Sequence, residues 1–250
     1  MDFLNALILL LNYIFVPALA YGSQLAIGAI FVTLIYGILR FANFATGDMM
    51  SFGTMVAILF TWYFQSIGLS LGFLPTALLA IPFAILFMGL YMLIIDKFVF
   101  KYYRLNKSPP VQLAMVSIGV MFVTQAVVRI IIGPSDRRFF DGEKFLIRAN
   151  EFKEMTGLNE GLAIKSTQVI TIVITIILVS TLFWFLNKTK TGKSMRAYSD
   201  NEDLALLSGI DPKKIVMITW MIAAILATIG GVLYGLDKSF KPFTYFNNML

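Results

Sequence analysis

Apolar positions gather in seven runs, at residues 3–20, 24–39, 49–65, 69–95, 111–132, 168–186 and 212–236, designated A to G. A bilayer core about 30 Å thick is crossed by roughly 20 helical residues, the size of most of these runs. None shows the short alternation of a barrel strand, and lipid tolerates only helices and closed barrels. The pattern therefore predicts an all-α, polytopic transmembrane helical bundle with about seven hydrophobic segments, forming one transmembrane domain over 1–250. Run A lacks the basic start of a signal peptide, since Asp2 is its only charge, and shows no convincing small-residue cleavage site. It reads as a span or an interfacial helix. Run D is longer than a span needs, and Pro75 and Pro82 predict tilt, a kink or a partly non-spanning start.

The polar stretches set the orientation. Connection 96–110 carries Lys97, Lys101, Arg104 and Lys107 against Asp96, and 187–214 carries Lys188, Lys190, Lys193, Arg196, Lys213 and Lys214. The long connection 133–167 has six basic and six acidic side chains, hence no sign bias. Basic loops stay cytoplasmic. That places 96–110 and 187–214 inside and 133–167 outside, the latter as an external loop able to hold a small folded element. Gly133-Pro134 ends run E. Counting back puts 40–48 inside, and also the N-terminus if A spans; counting forward puts 237–250 outside.

Composition narrows the chemistry. Hydrophobic residues make up 58% of the chain and charged ones 14%, with a mean hydropathy of +0.81, against about 25% charged in soluble domains. Without Cys or His, disulfides, thiolate or imidazole metal sites, Ser-His-Asp triads and histidine proton relays are excluded. The net charge of +6 lies in short loops between apolar runs, which is orientation and not a nucleic-acid face. Arg129, near the end of E, snorkels outward or lines the outer mouth. The other spans carry almost no charge in their interiors, whereas ion-coupled carriers usually need intramembrane carboxylates.

The connection 187–212 has the clearest local design. Ser199-Asp-Asn-Glu202 reads as a capping box, and Leu204, Leu207, Ala205 and Ser208 follow at helical spacing. Gly209 suits the left-handed residue after a helix, and Asp211-Pro212 is an N-cap and first helical residue for G. A short capped helix over 200–208 is expected, in a connection longer than packing alone requires. Gly192-Lys193-Ser194 imitates the tail of a nucleotide-binding loop, but Asn187 stands where the first Gly belongs and a transmembrane run precedes it instead of a strand. Asp48 is expected to cap helix C. On G, Ala223, Ala227, Gly231 and Gly235 recur every four residues. Such a ladder serves close packing inside the subunit, or else a subunit interface or sliding surface.

Asp203-Leu-Ala205-Leu-Leu-Ser-Gly209-Ile210, with Thr191-Gly192-Lys-Ser-Met-Arg196-Ala197 upstream, resembles the EAA-type loop of ABC importer permeases, in particular the LivH-type permeases of branched-chain amino acid importers. The stretch Tyr36-Gly37-Ile-Leu-Arg-Phe-Ala-Asn43-Phe44-Ala45-Thr46-Gly47-Asp48 is similar to a second signature of that family, with Thr46 where the family usually has His. The resemblance covers nearly the whole chain. It implies a multi-pass permease of a bacterial or archaeal cell membrane that translocates branched-chain or related amino acids. It also implies no catalytic site, metal or cofactor in this chain, with ATP and Mg held by partner ATPase subunits. Implied partners are cytoplasmic ABC ATPases, a second homologous permease, an external substrate-binding protein and membrane lipid. In that reading 187–212 is the cytoplasmic coupling loop, with Gly192, Arg196, Asp203, Leu204, Ala205, Leu207 and Gly209 as coupling residues. Tyr36, Gly37, Asn43, Phe44, Thr46, Gly47 and Asp48 belong to the family motif and the translocation path. Family members continue past G with a Gly-rich loop and a further helix, so the resemblance also implies a C-terminally truncated product. Related permeases carry urea or small amides, and a stand-alone secondary transporter is the alternative of another class.

Overall fold

The computed structural model describes residues 2–72, 74–139 and 145–242. Within them the chain is a helical bundle. The first helix is continuous from Asp2 to Leu39: α1 (Asp2–Leu10), a π turn (Leu11–Phe15) and α2 (Val16–Leu39). It is followed by α3 (Thr46–Ser66), α4 (Ala77–Ile95), a second π turn (Asp96–Phe100), α5 (Lys101–Leu105) and α6 (Pro110–Ile132). A small element of β1 (Phe145–Ile147), α7 (Ala149–Thr156) and β2 (Ile164–Lys165), the strands antiparallel, fills part of the long connection. Then come α8 (Ser166–Lys188), α9 (Lys190–Asp200), α10 (Glu202–Leu207) and α11 (Pro212–Asp237). Among the described residues five helices are long and apolar enough to cross a membrane, the first covering Phe3–Leu39. The more polar α3 is a sixth long helix.

Runs A and B therefore form one helix rather than two elements. Pro17 cannot supply an N–H to the preceding turn, and the chain slips into a π turn there instead of breaking. At 1.5 Å per residue this helix is roughly 55 Å long, well beyond one bilayer crossing. Asn12 accepts a hydrogen bond from the amide of Ala163 (3.2 Å) and donates to the carbonyl of Gly161 (3.4 Å). Its N-terminal part thus lies at the end of the bundle occupied by 133–167, opposite Arg40, and A is not a separate return span.

Run D also differs in its bounds. Residues 67–72 and 74–76 are turns and irregular backbone, with Gly68 and Gly72 at positive φ, and α4 starts only after Pro75. Its start is non-spanning, as the prolines suggest. At its other end the helix continues to Leu105, so most of the expected 96–110 connection is helical. Arg104 braces that extension with a bidentate pair to Asp96, at 2.8 and 3.1 Å. Helix α6 stops at Gly133, whose φ of 87° opens the left-handed side.

The bundle is built around α11, which packs against α2, α3 and α4. It buries 67% of its most apolar window, against 11% for α8 and for the first helix. Its small residues allow that closeness. A Cβ on Gly231 would meet the Thr54 hydroxyl and lie 2.9 Å from the Met50 carbonyl, and one on Gly230 would lie 2.8 Å from Ile27. Ala223, Ala227 and Gly235 are buried with them. The ladder faces into the subunit.

Candidate functional site

The segment 187–212 folds as two helices, not one. Thr189 caps α9, its hydroxyl accepting from the Gly192 amide at 3.0 Å. Gly192 is buried where a Cβ would collide with the Phe185 carbonyl, so this glycine answers a close helix approach. Only α10, Glu202–Leu207, corresponds to the short helix expected over 200–208. Its cap is Asn201, whose Oδ1 accepts from the Leu204 amide at 3.0 Å, and not Ser199 as the capping-box reading had it. Ser199 lies inside α9 and donates instead to the Gly37 carbonyl at 2.7 Å, while Glu202 accepts from the Tyr198 hydroxyl at 2.8 Å. Burial first, and then the neighbouring Glu202 carboxylate, push the Tyr198 phenol well above its ordinary range, which keeps it a donor.

The exit of α10 follows the expectation. Gly209 has φ 79°, its amide bonds to the Leu206 carbonyl and that of Ile210 to Ala205, both at 3.0 Å, a complete Schellman closure. Asp211 then caps α11 through the Lys213 amide at 2.9 Å, with Pro212 in the first turn. Ala205 faces inward at 3% exposure, whereas Leu204 and Leu207 are 60% and 85% exposed. Asp203 is exposed in the first turn, where a carboxylate suits the positive helix end. Arg196 is exposed on α9 and, with Thr33, Gly37 and Ser199, lines a cavity of about 240 Å³.

Arg40, which sequence reasoning left without a role, fastens this element to the bundle. Its guanidinium donates to the carbonyls of Ser199 (2.7 Å) and Asp200 (3.1 Å), the last residues of α9, where a cation meets the negative helix end. Arg40 itself adopts φ 57°, uncommon for a residue with a Cβ.

The junction 40–45 then turns into the bundle. The amide of Phe44 donates to the Ser117 hydroxyl at 3.0 Å, and Asp48 accepts from Gln125 at 3.1 Å. These partners stand roughly 10 and 22 Å along α6 from its start, so α3 begins at depth instead of at a loop. Its backbone is satisfied internally, as lipid requires. Asn43 Oδ1 accepts from the Ala45 amide (3.1 Å), and the Asn43 carbonyl accepts from the Thr46 hydroxyl (3.1 Å). Asp48 is not the helix cap: Ala45 occupies that position, and Asp48 lies in the first turn, fully buried. Arg129, one turn beyond Gln125 on α6, is half-buried, with two guanidinium nitrogens enclosed. It faces the bundle. Thr46 and Gly47 are buried beside this pair, and Gly37 underlies Ser199. Tyr36 is 60% exposed and turned away from it. The site residues thus fall into two groups, the α9–α10 element and a buried junction, joined through Arg40 and Gly37.

After α11, Phe240 pairs with Arg137 and the Pro242 carbonyl accepts from the buried Ser51 hydroxyl at 3.4 Å. The rest of the stretch expected outside, 243–250, is beyond the described residues.

Comparison with known proteins agrees with this architecture. The family model described as branched-chain amino acid transport system / permease component matches residues 14–250. The high-affinity branched-chain amino acid transport system permease protein LivH of Escherichia coli (strain K12) is 26% identical over 218 residues, covering 86% of this chain and 67% of that protein. Its counterpart BraD of Pseudomonas aeruginosa is 25% identical over 224 residues, 89% of this chain and 70% of that protein. A probable branched-chain amino acid transport permease protein LivH of Methanocaldococcus jannaschii is 26% identical over 236 residues, 91% and 67% of the two chains. This chain therefore spans about two thirds of their length. No solved structure matches it. With a match over nearly its whole length and a bundle of apolar helices to carry it, the chain belongs to the branched-chain amino acid transport system permease family and is a multi-pass permease of the cell membrane.

Proposed function

We propose that this permease is the membrane subunit of an ABC importer for branched-chain or related amino acids. It performs no covalent chemistry, and ATP and Mg are bound and hydrolysed on separate cytoplasmic ATPase subunits. A second, homologous permease completes the pathway, and an external binding protein delivers substrate near 133–167.

The observation that supports this reading is the α9–α10 element. It is capped at each helix start, closed at Gly209, anchored to α2 by Arg40 and Ser199, and yet leaves Leu204 and Leu207 largely exposed among the described residues. A stiff element with two projecting leucines is suited to transmit force from a partner that grips it. Movement of an ATPase would pass through α10 to α11, and through α9 and Arg40 to the junction at Asn43–Asp48. In this proposal the buried Asp48, Gln125 and Arg129 group lies on the translocation path.

Uptake of labelled leucine in cells or proteoliposomes containing the assembled system tests it. Uptake should stop on ATP depletion and persist when ion gradients are collapsed. Uptake that survives ATP depletion and follows an ion gradient would assign the chain to secondary transport.

A further inference from the structure

We propose that the cavity between α4–α5 and the α9–α11 corner is a binding site for the phosphate headgroup of an anionic membrane lipid. The cavity is about 410 Å³ and is bordered by Lys97, Lys101, Arg104 and Lys213. Its two acidic neighbours are already engaged. Asp96 accepts from Arg104 and from the Trp220 indole (2.8 Å), and Glu202 accepts from Tyr198. Arg104 is neutralised by Asp96, which leaves three lysines against one carboxylate and a net positive field.

The remaining wall is apolar, made by Leu93, Leu105, Val216 and Met217. Met217 is 49% exposed there, and Ile94 and Phe98, at 54% and 72% exposure, are apolar side chains on the same helical stretch as Leu93 and Lys97. Cations at one edge and an aliphatic strip at the other match a molecule with a phosphate head and an acyl tail. A soluble phosphate would use the first feature and leave the second without purpose. Basic pockets between helices near the cytoplasmic surface hold lipid headgroups in this way. The position gives the site a consequence. Glu202 begins α10 and Lys213 lies in the first turn of α11, so a headgroup there would tie α5 to both sides of the α10–α11 corner. The inference does not depend on the ABC reading.

The test is native mass spectrometry of the detergent-purified permease, with whatever subunits accompany it. It is titrated with phosphatidylglycerol or phosphatidylcholine of identical chains, with and without inorganic phosphate. Phosphatidylglycerol should be retained in preference to phosphatidylcholine, and inorganic phosphate should not displace it. Replacing Lys97, Lys101 and Lys213 together by Gln should weaken retention about a hundredfold, while Arg at the same positions restores it and Lys153→Gln, on α7, has no effect. Equal retention of both lipids, or unchanged retention in the Gln variant, would overturn the site. Displacement by inorganic phosphate would show a soluble-anion site, and exclusion of lipid by a copurified ATPase would show a protein interface. Either would overturn the lipid assignment. The two-lipid comparison uses the unmodified chain and so stands even if the Gln variant fails to fold.

Discussion

Gly231 and Gly119 make a controlled pair. A methyl group on Gly231 runs into Thr54 and Met50, whereas one on Gly119 meets nothing within 4 Å. Overpacking a tight helix contact costs typically about 1–3 kcal/mol. Gly231→Ala should therefore lower the thermal midpoint of the purified permease, and Gly231→Leu should abolish assembly or transport, while Gly119→Ala leaves the midpoint unchanged. The Asp48 group invites a second comparison. Gln125→Leu deprives a buried carboxyl oxygen of its donor, a loss of about 1–3 kcal/mol or more. Gln125→Glu would set a second acid beside it. Thermal unfolding should rank the wild type above Gln125→Leu and that above Gln125→Glu; equal midpoints would mean that Asp48 finds other donors. The close contact at Gly231 was legible as a small-residue ladder, but the Asp48 group was not. Asp48 read as a helix cap, because an acid before an apolar run normally is one. Its partner Gln125 is 77 residues away, on a helix whose depth only the fold reveals.

At the scale of elements, the α9–α11 corner was legible where its signals are local. Gly209 and Asp211-Pro212 act as their residue types dictate, because left-handed φ and helix starts are decided within a few residues. Ser199 was misassigned because its hydroxyl is taken by Gly37, 162 residues away, which frees Asn201 to cap. The two ends of α10 can be tested separately. Asn201→Ala should destabilise the helix by about 1 kcal/mol, seen as faster hydrogen exchange over 202–208. Gly209→Val places a β-branched residue at φ 79°, a strain of roughly 1–3 kcal/mol. Since nothing crowds Gly209, its effect on uptake would report the turn itself. Arg40→Ala should release the end of α9 and raise exchange at Ala197–Asp200 while leaving the spans inserted. Unchanged exchange there would show that Ser199 alone holds the element.

For the whole molecule, apolar runs and loop charge gave the bundle and its expected orientation, since both follow from the bilayer as solvent. They did not separate one long helix from two spans, because the apolar pattern pauses at 21–23 while the backbone continues there as helix. The fused helix changes the topology: the N-terminal end shares a side with Glu151, and Lys193 is opposite. The chain has no cysteine of its own, so single Leu4→Cys, Glu151→Cys and Lys193→Cys variants can be labelled cleanly in intact cells. An impermeant thiol reagent should reach the first two and spare the third. Labelling at Leu4 that groups with Lys193 would restore a separate span for A.

The central claim is that a partner ATPase grips α10 through its two projecting leucines. It is tested most directly by copurification of the ATPase with a Leu204→Asp permease, compared with the wild type at equal membrane insertion. Leu204 is 60% exposed within this chain, so the substitution leaves the fold intact and acts only if a partner buries it. There a desolvated, unpaired carboxylate would cost several kcal/mol. The account predicts that the inserted variant loses both the ATPase and leucine uptake. A variant that retains the ATPase and transports at the wild-type rate would make α9–α10 a plain connection and contradict the account.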